Sequence, residues 1–161
     1  MRKVVGDRVN EAARSLAGAL DVASLAQVVV TTEDPAHPIE NAFDGQHGPG
    51  ATEWVAAGSG RQSVTVQFDA PRDIRAVTLE VEEATTTRTQ EIELSVSTDA
   101  GASYEVVVRQ EYTFSPPGTS FERETWAVPR QGVSHVRVTV RPDKGGGNSR
   151  ARLTAFVIQG T

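Results

Sequence analysis

The sequence predicts an all-β fold, an antiparallel jelly-roll β-sandwich with a short N-terminal helical extension. Three observations carry this. From residue 26 onward apolar side chains recur at every second position, as at Val64, Val66 and Phe68, at Ile92, Leu94 and Val96, and at Val136, Val138 and Val140; that is the period of a half-buried strand. Turn signals separate the runs: Pro71-Arg72-Asp73, Asp99-Ala100-Gly101 and Pro129-Arg130-Gln131-Gly132. No second helical pattern interrupts them, and parallel strands would need long crossovers, so the strands are expected to pair antiparallel.

Taken in order, residues 7–20 place Val9, Ala12, Ala13, Leu16, Ala17 and Leu20 three and four apart, one stripe of a helix that Asp7 can cap. The stripe is mostly alanine, and Gly18 subtracts about 1 kcal/mol of helix preference. Such a helix needs a larger surface, on its own domain or on a partner. We divide the chain into an arm, residues 1–24, and a sandwich, residues 25–161. Strands are expected at 27–31, 64–68, 74–81 after a one-residue slip, 92–96, 104–108, 121–128, 136–140 and 153–158. Four long loops remain, at 33–51, 83–89, 111–119 and 142–150. On a rigid sandwich, loops of that length are expected to form recognition surface.

A chain of 161 residues is one ordinary domain. Sixteen Lys and Arg against 21 Asp and Glu leave a net charge of −5, which offers no general attraction for nucleic acid or anionic lipid. The absence of cysteine excludes disulfides, thiolate metal sites and thiol nucleophiles. No apolar run approaches the ~20 residues needed to span a bilayer, and no signal-peptide core follows Met1. Membrane insertion is therefore not expected, and cytoplasmic synthesis is.

The segment Pro38-Ile39-Glu40-Asn41-Ala42-Phe43-Asp44-Gly45, followed by Thr52-Glu53-Trp54, resembles the opening of discoidin-type domains. These are also called coagulation-factor type C domains, and they belong with the family 32 carbohydrate-binding modules and the galactose-binding-like jelly rolls. The stretch from Leu94 through Asp99-Ala100-Gly101 to Tyr104 resembles their hairpin, the run His135 to Val140 a late strand, and Leu153 to Gly160 the closing strand. The likeness covers residues 26–160 and implies the same fold. It also implies a structural calcium held by backbone carbonyls, Asp44, Thr52 and a glutamate on the last strand, where this sequence has Ala155. Losing one carboxylate weakens such a site, because calcium takes six to eight oxygens. The other reading is that Asp44 only closes a turn with Gly45 at positive φ. No other cofactor is expected.

For a ligand, the aromatic platform is expected at Tyr112 and Phe114, in a stretch that Pro116 and Pro117 mark as a loop, with Arg88, Arg109, Asn148 and His47 as polar partners. Sugars present C–H faces to rings and hydroxyls to such groups. The alternative is that the two aromatics plug the end of the sandwich. Trp54 and Trp126 read as core, His135 as a solvated strand residue, and His37 and His47 as loop residues that could touch a ligand, with loop polarity an equal explanation. Glu80, Glu82, Glu91 and Glu93 alternate with core positions and read as a solvated face. Neither Lys144-Gly145-Gly146-Gly147-Asn148 nor Gly58-Ser59-Gly60 has the context of a phosphate cradle or a nucleophile elbow, and no acid–base pair is brought together by spacing. The expected function is a non-catalytic module that binds a carbohydrate or similar surface ligand, multimeric within an assembly because such sites are weak. The alternative is a structural protein, such as a virion component or an adaptor, that docks on a protein partner through residues 7–20.

Overall fold

The structure is a computed structural model that describes residues 18–161. The helix expected over 7–20 lies outside these residues except for its last three, and those are not helical: Gly18 turns at a φ of +79° and Ala19 forms an antiparallel bridge with Gln159. The Leu20 N–H donates to the Ile158 carbonyl at 2.8 Å and the Gly160 N–H to the Gly18 carbonyl at 2.9 Å. A four-residue helix, α1 (Val22–Leu25), follows and buries Val22. Residues 18–24, assigned to the arm by sequence, therefore pack on the sandwich.

Eight strands follow: β1 (Ala26–Val30), β2 (Trp54–Ser59), β3 (Gln62–Glu82), β4 (Arg88–Ser97), β5 (Glu105–Phe114), β6 (Phe121–Arg141), β7 (Arg150–Leu153) and β8 (Ala155–Gly160). A 3-10 helix, Ile39–Phe43, lies in the loop between β1 and β2. All pairings are antiparallel, in the order β1-β3-β6-β4-β5, with β8 also on β3 and β2 paired to β7. The predicted sandwich is the observed fold.

Its construction differs from the expectation chiefly in how the strands are joined; β2 and β7 are also not among the expected strands. The runs at 64–68 and 74–81 are one strand, β3, and those at 121–128 and 136–140 are one strand, β6. Pro71-Arg72-Asp73 and Pro129-Arg130-Gln131-Gly132 are corners rather than reversals. The β3–β6 register shifts three times between Gln67 and Ala76, and Arg72 faces Val133 there. Bulges of this kind bend a strand, and proline is tolerated at them because the ladder is already broken. Beyond the corner the inward parity of β3 changes, from Val64, Val66 and Phe68 to Val77, Leu79 and Val81, and both sets join one core with Trp54, Leu94, Val138, Leu153 and Phe156. Trp54 is fully buried and donates Nε1–H to the Thr32 carbonyl at 3.0 Å. Trp126 is half-buried against that core and donates to Gln110 Oε1.

Asp99-Ala100-Gly101 is a true reversal, joining β4 to β5. Two serines grip its carboxylate: Ser97 donates to Asp99 Oδ1 at 2.6 Å, and Ser103 donates to Oδ2 and, through its N–H, to Oδ1. These bonds pull the Asp99 pKa down to about 2. The residues expected as a loop at 111–119 are strand as far as Phe114, where Arg88 faces Phe114 across the ladder. The prolines end that strand without unpairing it.

Candidate functional site

Because β3 and β6 turn back at their corners, both ends of each strand lie at the same end of the sandwich. The four long loops read from the sequence therefore converge. Glu83 N–H donates to the Ser120 carbonyl at 2.7 Å, Lys144 N–H to the Thr89 carbonyl at 2.8 Å, and Gly50 N–H to Glu82 Oε1 at 3.1 Å. Arg150 Nη1 lies 3.1 Å from Asp34 Oδ2, which ties the last loop to the first.

Arg88 is the bolt of this end. Its side chain is fully buried, donating from Nε to Glu83 Oε1 at 2.7 Å and from Nη1 to the Pro142 carbonyl at 2.5 Å, with the guanidinium 5.1 Å from the Phe114 ring centre. Burial opposes charge on Glu83, yet Arg88 and the Thr85 N–H hold its carboxyl below the ordinary range. Phe114 is 0% exposed, and Tyr112 meets it edge-on at 4.9 Å while donating its hydroxyl to the Phe121 carbonyl at 3.2 Å. The structure thus joins Tyr112, Phe114 and Arg88, but as a plug. The expected platform is corrected for Phe114 and Arg88: neither reaches solvent, because β5 continues inward past the point where prolines suggested a loop.

The other expected residues are dispersed. Arg109 is exposed on β5, out on the sheet face, where its Nε is 2.6 Å from Glu93 Oε2. His135 is half-buried with Tyr104 edge-on against it, not a freely solvated residue. His37 lies 3.9 Å from Asp34 in the first loop. Asn148 is exposed on the rim of an open concavity of about 450 Å³ at the loop end, together with Ser59, Gly60, Arg61, Arg141 and Gly146. A second concavity, of about 420 Å³, continues over the outer face of the β3–β6–β4 sheet, and Arg61 and Arg141 line both. Neither arginine was singled out from the sequence, since their adjacency depends on a strand register that spacing does not reveal.

The sequence profile of the F5/8 type C domain matches residues 27–159. The chain belongs to the F5/8 type C domain family. Solved structures similar to this F5/8 type C domain include CBM32-3 of a family 31 glycoside hydrolase from Clostridium perfringens, at 18% identity and a TM-score of 0.61, covering 90% of this chain and 96% of that one. The CBM32 of AlyQ in complex with 4,5-unsaturated mannuronic acid is 22% identical, with a TM-score of 0.59 over 83% of this chain and 94% of that one. CpGH89CBM32-5 from Clostridium perfringens, in complex with GalNAc-β-1,3-galactose, is 19% identical, with a TM-score of 0.60 over 88% and 99%. No curated protein matches the chain.

The 44–52 loop, where the resemblance implies a calcium, offers few donors. Gly45 has a φ of +77°, as its turn requires. Asp44 accepts the Thr52 hydroxyl and, at 2.9 Å, the Gln46 N–H, so the two expected ligands bond to each other. Ala155 contributes no side-chain oxygen, and Glu80, which faces it across the β3–β8 ladder, is engaged elsewhere. Glu80 is 1% exposed and accepts His47 Nδ1–H at 2.8 Å and the Gly48 N–H at 2.7 Å. Burial alone would raise its pKa, but these two donors and Arg123 hold it below the ordinary value. Among the described residues no three His, Asp or Glu side chains gather as a metal site would need. The donor set does not fit calcium well. His47, expected to touch a ligand, is instead part of the clasp on Glu80, and Glu80, expected in a solvated face, is covered by that loop.

Proposed function

We propose that this domain is a non-catalytic carbohydrate-binding module that holds its ligand in the open concavities at the loop end. The observation that carries the reading is the open polar concavity at this end of a rigid sandwich, lined by the 59–61 turn and residues 141–148, the latter bolted through the Pro142 carbonyl to the buried Arg88. Membership of the F5/8 type C family and the likeness to modules solved with GalNAc-β-1,3-galactose and with an unsaturated mannuronic acid support a sugar as the ligand class. The distribution of acids supports a binding role. Glu122, the carboxyl whose pKa is pushed up to about 7, is 4% exposed, and Glu80 is closed off by His47 and Gly48, so neither carboxyl is presented to a ligand in solvent.

We also infer that the Glu80 clasp, rather than a calcium ion, orders the 44–52 loop. Two donors on one buried carboxylate supply the neutralisation that a cation would otherwise give.

Open sites of this kind bind weakly, so the test uses a multimer. The protein, biotinylated and tetramerised on streptavidin, is expected to give sugar-specific signal on a glycan array, with apparent affinity at least ~100-fold above the monomer's. Absence of signal on every glycan refutes the reading.

A further inference from the structure

We propose that Arg61 and Arg141 form an anion subsite, so that the module takes saccharides bearing a carboxylate or sulfate in preference to neutral ones; this rests on the carbohydrate reading above. Gln62 pairs with Val140 in the β3–β6 ladder; Arg61 immediately precedes β3 and Arg141 is the last residue of β6, and both line the same two concavities. Two cations thus share one open surface, where each raises the cost of leaving the other without a counter-charge. Both side chains are exposed, and neither makes an ion pair or hydrogen bond with any described residue.

Of the carboxylates around them, Glu91 and Glu93 pair with other cations and Asp143 caps the turn that follows it. Glu91, across the ladder from Arg141, lies 3.7 Å from Lys144, which also pairs with Glu111. Glu93 is held by Arg109, and Asp143 accepts the Gly145 N–H at 2.8 Å. The two free guanidiniums sit where the sheet-face concavity meets the loop-end one, with Asn148 on the far rim as a hydroxyl partner. No aromatic side chain lines either concavity. Stacking on a pyranose face is therefore not offered, and recognition falls to hydrogen bonds and charge. The guanidinium fork matches planar carboxylates and sulfate oxygens, and paired forks select for them.

The test is an array displaying neutral, uronate-bearing, sialylated and sulfated glycans, probed with the tetramerised protein and with tetramerised Arg61→Gln/Arg141→Gln. The expected result is signal concentrated on anionic glycans, falling roughly tenfold or more in the double variant, and falling for the native protein as salt rises from about 50 to about 500 mM. An unchanged melting temperature in the double variant shows that the loss is not unfolding. The carboxylate and sulfate spots identify which anion is read. Signal on neutral glycans alone, or an anion preference that survives the double substitution, overturns the subsite and leaves the carbohydrate reading standing. Silence on every spot overturns both.

Discussion

Glu122 shows how one position on a strand can carry a cost that alternation does not reveal. It faces Val81 across the β3–β6 ladder, and one of its oxygens is buried without a partner. Burial is the main reason its pKa rises to about 7, the Glu124 charge adds to it, and Gln90 offsets part. A folded-state value above the ordinary 4.5 means that the native state holds this proton more tightly than the unfolded chain does. The contribution to stability is full below pH 4.5 and is lost as pH rises through about 7. Glu122→Gln is therefore expected to stabilise the protein by about 2–3 kcal/mol at pH 8 and to leave it nearly unchanged at pH 4. Urea unfolding of both proteins at the two pH values measures the difference.

At the scale of elements, the 44–52 loop covers the outer side of β3 just where that strand carries Glu80. Alternation correctly predicts that Glu80 points away from the core formed by Leu79 and Val81, but facing outward is not the same as facing water. His47 and Gly48 come from more than thirty residues away in sequence and close over it. Removing the carboxylate leaves two donors unpaired, and Glu80→Ala is expected to cost about 3 kcal/mol. Because its pKa is depressed, that stabilisation is present above pH 4.5 and lost as pH falls beneath it, the opposite sense to Glu122. Millimolar calcium is expected to leave the melting temperature of the native protein unchanged; a rise of several degrees would show that the loop takes a cation after all. The same distinction between local pattern and coverage explains β5. Its alternation continues through Tyr112 to Phe114, and Pro116 and Pro117 mark where it stops rather than where it leaves the core.

Across the whole molecule, β3 and β6 each contribute to both layers, so neither layer can melt while the other stays paired. Unfolding is expected to be a single cooperative transition, with far-ultraviolet circular dichroism and tryptophan fluorescence coincident in urea; separated midpoints would contradict this account. What could be read before any coordinates were the strands, the antiparallel class, the Asp44-Gly45 turn, the tryptophan at the centre and the loops long enough to bind something. Those features follow from side-chain period and backbone chemistry, which act over a few residues and leave their mark in short windows. Three others needed the assembled chain: which turn signals are corners, which outward groups are covered, and which cations share one surface. Pro71 and Pro129 break a ladder whether the chain reverses or bends. Glu80 depends on a distant loop, and Arg61 and Arg141 reach one surface because Gln62 pairs with Val140, a register set by packing between strands distant in sequence. Such pairings are decided by burial of the shared core, an energy that belongs to the whole fold and to no segment of it.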